Sequence, residues 1–281
     1  MINLNGTLIP ASKAAISLNN RGLTYGDAVF ETLRTHQGKI LFWEDHYFRL
    51  MASMRIMRME IPMNFTLEFI EDQVLKTLEA NGLENSTARV KIFINRREGG
   101  LYNPDNMDID YFIQVAQLHS SKFKLDQKPY VVDLYKDFFI SKGLFSTLKT
   151  NNRAINVLGS VFAKENDFQN CLLLNTDKMV IEALNANVFI VQGNTIKTPP
   201  LDDGCIKGVM RKQIIDIIEN DSEFELDESS ISPFELQKAD ELFITNVIVG
   251  IQSVTQYRKK QFKNKVAQKY VEALNSKAEL S

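Results

Sequence analysis

Two periods of apolar residues run through the chain, and their order sketches its elements. Ile2 and Leu4, then Thr7 to Ile9, flank Asn5-Gly6, a pair suited to a tight hairpin turn. A second hairpin is predicted from β-prone Ala28–Thr35, a turn at Gln37-Gly38 and a returning strand over Ile40–Trp43. Tyr47, Leu50, Met51, Met54 and Met57 then fall on one helical stripe, with Asp45 near its start, and the methionines read as core. Thr66 or Asn64 can cap a further helix carrying Leu67, Ile70, Val74 and Leu78, which stops at Asn81-Gly82. Val90, Ile92 and Ile94 predict another strand, and Asp110 to Ala116 resumes the β pattern.

Past a polar stretch from Leu118 to Lys128, Tyr130–Leu134 predicts a strand, and Ile155, Leu158 and Phe162 predict a helix that ends near Asn166. Cys171–Asn175, Val180–Glu182, Ala186–Val191 and Thr195–Lys197 predict a run of short antiparallel strands, with turns at 176–178 and at Gly193-Asn194. Thr198-Pro199-Pro200-Leu201 breaks the pattern. Gly208-Val209-Met210-Arg211 opens a helix bearing Ile214, Ile215, Ile217 and Ile218. Leu242–Ile244 and Ile248–Val254 read as late strands, and Val266, Tyr270, Val271 and Leu274 mark a C-terminal helix. The expected class is α+β in two domains, residues 1–118 and 130–281, joined by a linker over 119–129.

Composition narrows what such a fold can do. With 33 Lys and Arg against 35 Asp and Glu, the net charge of −2 gives no global field for nucleic acid or an anionic membrane, which turns attention to small-molecule sites. Cys171 and Cys205 lack the spacing of a metal knuckle, and His36, His46 and His119 share no paired spacing on a helix, so no metal is expected. The thiols read as buried and structural, the histidines as solvated or core. Neither a basic leader nor a run of about 18 apolar residues occurs, so the protein is expected in the cytoplasm. The loop Asn95–Pro104, with Arg96, Arg97 and two glycines, reads equally as a plain turn or as a guanidinium placed over a substrate carboxylate.

Lys149 stands between a short β-prone run and the helix of Ile155, at a junction of the kind that presents side chains to clefts. Its surroundings resemble those of the fold-type-IV (class IV) pyridoxal-phosphate enzymes, the family of branched-chain and D-amino-acid aminotransferases and aminodeoxychorismate lyase. The resemblance spans nearly the whole chain. It rests on Arg21-Gly22, Tyr25-Gly26-Asp27-Ala28-Val29-Phe30-Glu31, His46-Tyr47-Phe48-Arg49-Leu50, Lys149 with Asn152, and Glu182 with Asn187-Val188-Phe189. Thr198-Pro199-Pro200, Gly208-Val209-Met210-Arg211 and Ala239-Asp240-Glu241 follow in the same order.

The resemblance implies a smaller N-terminal α/β domain and a larger C-terminal pseudo-barrel, with the site between them completed by a second subunit of a homodimer. It makes Lys149 the lysine that carries pyridoxal phosphate as a Schiff base and then moves the substrate's α-proton. That task needs a partly neutral amine, and moving a lysine from about 10.4 to about 7–8 costs roughly 3–5 kcal/mol, available from burial and a nearby cation. Glu182 matches the carboxylate that keeps the ring nitrogen protonated, which the electron sink requires. Arg49, the start of the helix at Val209 and Met210, and Asn187 match the phosphate pocket. The substrate side would draw on Phe30, on one of Arg34, Arg96 and Arg97, and on the turn at Val247 and Ile248, whose amides would receive a carboxylate.

Departures from the family pattern bear on the reaction. Asn152-Arg153 stands where branched-chain enzymes have Asn-Tyr, and Met210 where many relatives have threonine; with Thr245-Asn246-Val247, these look like the lyase. Phe30-Glu31-Thr32-Leu33-Arg34 is closer to the aminotransferases, and no residue presents itself as an acid for a departing ring. Three readings follow: a transaminase acting on a branched-chain-like amino acid and a 2-oxo acid, a lyase releasing pyruvate from aminodeoxychorismate, and a non-catalytic cofactor-binding scaffold. Transamination is the expectation.

Overall fold

The computed structural model describes residues 1–279. These divide into two compact units, residues 1–121 with 149–152, and residues 122–148 with 153 onward. The chain is of mixed α+β class, as expected.

The first unit is built on a six-stranded antiparallel sheet. Its elements are β1 (Ile2–Leu4), β2 (Thr7–Ile9), α1 (Arg21–Tyr25), β3 (Ala28–His36), β4 (Lys39–Ile40), α2 (Trp43–Ile56), α3 (Leu67–Glu79), β5 (Thr87–Arg96) and β6 (Ile109–Gln117). The strand order is β2-β1-β6-β5-β3-β4. Alternation sends Leu33, Val90, Ile92, Ile94 and Ile113 to one face, where Leu50 and Met54 of α2 and Ile70, Val74 and Leu78 of α3 close the core. Phe30 pairs with Phe93, and Phe93 with Phe112, so this row lies on the opposite face. Thr66 caps α3 by accepting the Phe69 N–H.

The predicted strand over Ile40–Trp43 is shorter than expected. Phe42 turns the chain with a φ of 57°, and Trp43 begins α2. Tyr47 and Leu50 lie four and seven residues on, so Trp43 joins the apolar stripe of the helix and packs in the same core.

In the second unit come β7 (Val131–Ile140), α4 (Ala154–Glu165), β8 (Asn170–Asn175), β9 (Val180–Ala183), β10 (Ala186–Gln192), β11 (Thr195–Thr198), α5 (Val209–Glu219), β12 (Glu225–Glu228), α6 (Pro233–Lys238), β13 (Glu241–Asn246), β14 (Gly250–Val254), β15 (Gln256–Tyr257), β16 (Lys260–Gln261) and α7 (Lys265–Glu279). The sheet runs β12-β11-β10-β9-β8-β7-β15-β16, and β13 lies on the other edge of β10 and carries β14. The expected run of short antiparallel strands is found over β8, β9, β10 and β11. Around it, β7 with β8 and β11 with β12 are parallel, because α4 and α5 are crossovers that return the chain in the same direction, and β15, from far along the chain, also lies parallel to β7. Residues 118–128 carry no helix or strand. Within them Phe123 is buried, and its backbone exchanges two hydrogen bonds with the side chain of Asn275 on α7. No helix among the described residues is long and apolar enough to cross a membrane.

Candidate active site

Lys149 belongs with the first unit because its backbone extends the sheet. β4 pairs only with the far end of β3, which leaves the edge at Ala28–Phe30 open, and residues 149–151 fill it. The Phe30 N–H donates to Lys149 O at 2.9 Å, the Asn151 N–H donates to Ala28 O at 2.9 Å, and Val29 bridges Thr150. Two side-chain amides brace the same segment against the α1 turn, Asn151 Nδ2 to Gly22 O at 3.1 Å and Asn152 Nδ2 to Gly26 O at 3.0 Å. Gly26 takes a φ of +65°, and a Cβ there would come 2.5 Å from Asn152 Oδ1, so only glycine fits. The half-buried Lys149 amine then lies 4.6 Å from the centroid of the Phe30 ring, in cation–π range.

Behind β3, on its core face, Glu31 meets α2. Positions 46 and 49 are one turn apart on that helix, so both side chains reach the same carboxylate. Arg49 grips it bidentately, Nε to Oε1 at 2.7 Å and Nη2 to Oε2 at 2.6 Å, and His46 Nδ1 donates to Oε2 at 2.7 Å. Burial pushes the Glu31 carboxyl up, but the Arg49 charge and the His46 and Arg49 hydrogen bonds outweigh it and hold it down at about 2. Burial drives His46 below its usual range, opposed by Glu31 and reinforced by the charges of Arg49 and Lys149. The imidazole is therefore neutral at physiological pH.

A pH dependence follows from that direction. The unfolded chain protonates His46 as pH falls through about 6.5, whereas the folded chain, with its depressed value, does not. Stability therefore drops with falling pH in this window, by up to about 1.4 kcal/mol per pH unit. The Glu31 contribution is lost only lower, between about 4.5 and about 2. Urea midpoints at pH 7.5 and 5.5 should show His46→Asn losing less stability on acidification than the parent, by about 1 kcal/mol; equal losses would contradict a buried neutral His46.

In the second unit, Glu182 on β9 and Asn187 on β10 are register partners. Glu182 Oε2 accepts the Ile206 N–H at 2.8 Å, and Asn187 Nδ2 donates to Ile206 O at 2.9 Å. Both are buried. A Cβ on Gly208 would lie 1.9 Å from Asn187 Oδ1, so glycine is required by close approach. Gly208 is also the N-cap of α5 and offers no side-chain cap, so the first-turn amides, at Val209 and Met210, point outward with the positive end of the helix dipole. A buried carboxylate and a helix start free of a side-chain cap are the groups that a basic ring nitrogen and a phosphate ester need.

The substrate candidates separate clearly. Arg96 is not presented to a ligand. Its Nε donates to Asp27 Oδ2 at 2.9 Å, Nη1 to Arg58 O at 2.8 Å and Nη2 to Met57 O at 2.6 Å, so its guanidinium is used up inside the unit. Arg97 is half exposed and pairs loosely with Asp108 and Asp110, both at 3.3 Å. Arg34 is buried, and its Nη2 donates to Ser120 O at 2.5 Å. The amides of Ile248 and Val249 both donate to Asn246 Oδ1 at 3.0 Å, so in this structure the turn after β13 caps itself. Val247, beside them, is buried.

Two groups have residues that the motifs name but pairings that the sequence did not reveal. One is the α1 segment: buried Arg21 pairs with Asp27 and donates to the Gly99 and Leu101 carbonyls. The other is the Glu31–His46–Arg49 triangle, for which the spacing of His46 and Arg49 on one helix face was the available signal. Arg153, the departure noted beside Asn152, donates from Nη2 to Leu148 O at 2.8 Å.

The family described as amino-transferase class IV matches residues 28–257. A Methanocaldococcus jannaschii protein assigned the name branched-chain-amino-acid aminotransferase is 27% identical over 277 residues, which cover 98% of this chain and 94% of its own. A D-alanine aminotransferase of Listeria monocytogenes is 26% identical over 262 residues, 90% of this chain and 86% of its own. An aminodeoxychorismate lyase of Vibrio harveyi is 24% identical over 242 residues, 85% and 86% respectively. Among solved structures, the branched-chain aminotransferase of Thermoproteus uzoniensis has the same fold, with a TM-score of 0.86 at 21% identity over 98% of this chain and 93% of that one.

Proposed function

This chain belongs to the class IV aminotransferases, and from that premise we propose that it is a pyridoxal-phosphate-dependent transaminase moving an amino group between a branched-chain-like amino acid and a 2-oxo acid. When bound, the cofactor supplies an electron-withdrawing ring that takes up the charge left when the substrate's α-proton departs. Lys149 would hold the cofactor and would be the base that moves that proton. Glu182 keeps the ring nitrogen charged. Arg49, aimed by Glu31, adds positive charge for the phosphate, with the amides of Val209 and Met210 and with Asn187 fixing the approach to α5. Phe30, under the lysine amine, and Arg34, four residues along the same face of β3, are in this reading the substrate-side residues. In this reading the enzyme works as a homodimer in the cytoplasm.

The observation that carries the choice of reaction is the state of Glu31. Held ionised by Arg49 and His46, it has no proton to give near neutral pH. A lyase must hand a proton to the enolpyruvyl group that leaves the ring as pyruvate, whereas transamination needs only the proton that Lys149 returns. Asn152-Arg153 and Met210 speak for the lyase, so the test must separate the two.

The holoenzyme, mixed with leucine or valine and no 2-oxo acid, should release about one equivalent of the corresponding oxo acid per subunit and stop. Adding 2-oxoglutarate should restart it. If no amino donor gives that single turnover, and aminodeoxychorismate instead yields pyruvate and aminobenzoate catalytically without an acceptor, the enzyme is a lyase.

A further inference from the structure

Glu182 on β9 pairs in register with Asn187 on β10, and Asn187 with Thr245 on β13. Direct partners on adjoining antiparallel strands point to one face, so the three side chains form a single polar row across the sheet. Their relative exposures are 5%, 6% and 2%. The first two are engaged by the segment leading into α5: Glu182 accepts from Ile206 N, and Asn187 donates to Ile206 O. The third is not. Among the described residues the Thr245 hydroxyl has no hydrogen-bond partner, although a buried hydroxyl without one is destabilising and valine would fill the same volume in a strand.

What lies over Thr245 follows from the direction of the covering segment. Ile206 sits over Glu182 and Asn187, Gly208 abuts Asn187, and α5 then packs on β13. The chain thus covers the row at Glu182 and Asn187 and then, as α5, packs on β13, the strand that carries Thr245. The first turn of α5 starts on Gly208 without a side-chain cap, and its second residue, Met210, brings a thioether that cannot donate a hydrogen bond. The unsatisfied hydroxyl and the uncapped amides are independent features of two elements packed on each other, β13 and α5.

We propose that Thr245 donates its hydroxyl to the cofactor's phosphate at the amino end of α5, supplying the side-chain donor that Met210 lacks. This assignment rests on the pyridoxal-phosphate reading above. It makes Thr245 a cofactor-binding residue, one strand away from the residues that the sequence pattern marks.

The test is equilibrium dialysis of apoprotein against pyridoxal phosphate, pyridoxal and inorganic phosphate, for the parent, Thr245→Val and Thr245→Ser. Losing one hydrogen bond to a charged oxygen should weaken pyridoxal phosphate binding by about tenfold or more in Thr245→Val, and phosphate binding in parallel. Pyridoxal, which has no phosphate, should bind the parent and Thr245→Val alike, and Thr245→Ser should stay close to the parent. The proposal is overturned if Thr245→Val holds pyridoxal phosphate within twofold of the parent, if pyridoxal is weakened as much as its phosphate, or if serine fails to rescue. A parent that binds no pyridoxal phosphate would instead overturn the function proposed above, and this assignment with it.

Discussion

Lys149→Ala should fold normally and lose turnover by about 10²–10⁴-fold or more, the range expected when a positioned proton-transfer group is removed. The reason it should still fold is that the segment is held by main chain and by its neighbours. Phe30 N–H binds the Lys149 carbonyl, Val29 bridges Thr150, and Asn151 and Asn152 brace the α1 turn. None of these contacts uses the lysine side chain, whose contact with the Phe30 ring is worth about 0.5–1 kcal/mol, so the urea midpoint of the apoprotein should fall by no more than about 1 kcal/mol. Lys149→Arg separates charge from basicity: guanidinium stays protonated at any pH the protein survives, so this variant should be as inactive as alanine. Borohydride treatment of the parent holoenzyme should leave the cofactor on one peptide, the one containing Lys149, and leave the alanine variant unlabelled. Label on another lysine, or an arginine variant within tenfold of parent activity, would remove Lys149 from the centre of the reaction.

Much of the framework was legible because it is written locally. The stripe Tyr47-Leu50-Met51-Met54 and the Thr66 cap each need only a few neighbouring residues, and both appear where the pattern put them. The Phe42-Trp43 boundary was missed because an apolar run reads as strand until the left-handed turn at Phe42 is known. The antiparallel run β8–β11 was legible from its short turns, but that β8 runs parallel to β7 was not, because it depends on α4 crossing over, which no window of ten residues records. The site shows the same divide. Lys149, Glu182 and Arg49 stand out through a motif order, but the partners that set their chemistry are distant in sequence. Glu31 lies 15 and 18 residues from His46 and Arg49, and Thr245 is 58 residues from Asn187. Arg96 illustrates the converse. Its loop context suggested a carboxylate clamp, while the fold spends its donors on Asp27 and two backbone carbonyls.

Glu31→Ala should be the most destabilising of the substitutions considered, by about 3–5 kcal/mol. The carboxylate is buried and satisfies a largely buried guanidinium and a fully buried imidazole at once, and removing it leaves both without their acceptor. For a chain of this size each kcal/mol moves the midpoint by about 2–4 °C, so thermal unfolding of the apoprotein should begin roughly 10 °C lower. A double-mutant cycle distinguishes loss of the network from loss of packing. Glu31→Leu alone should be nearly as damaging as alanine, because it still strands the Arg49 charge. Glu31→Leu with Arg49→Leu should recover part of the loss, since an ion pair replaced on both sides by apolar groups is often close to neutral. The coupling between the two positions should therefore exceed about 1 kcal/mol. If the double variant is as unstable as the sum of the single ones, Glu31 and Arg49 are not an energetic unit, and Arg49 must be aimed by something other than this carboxylate.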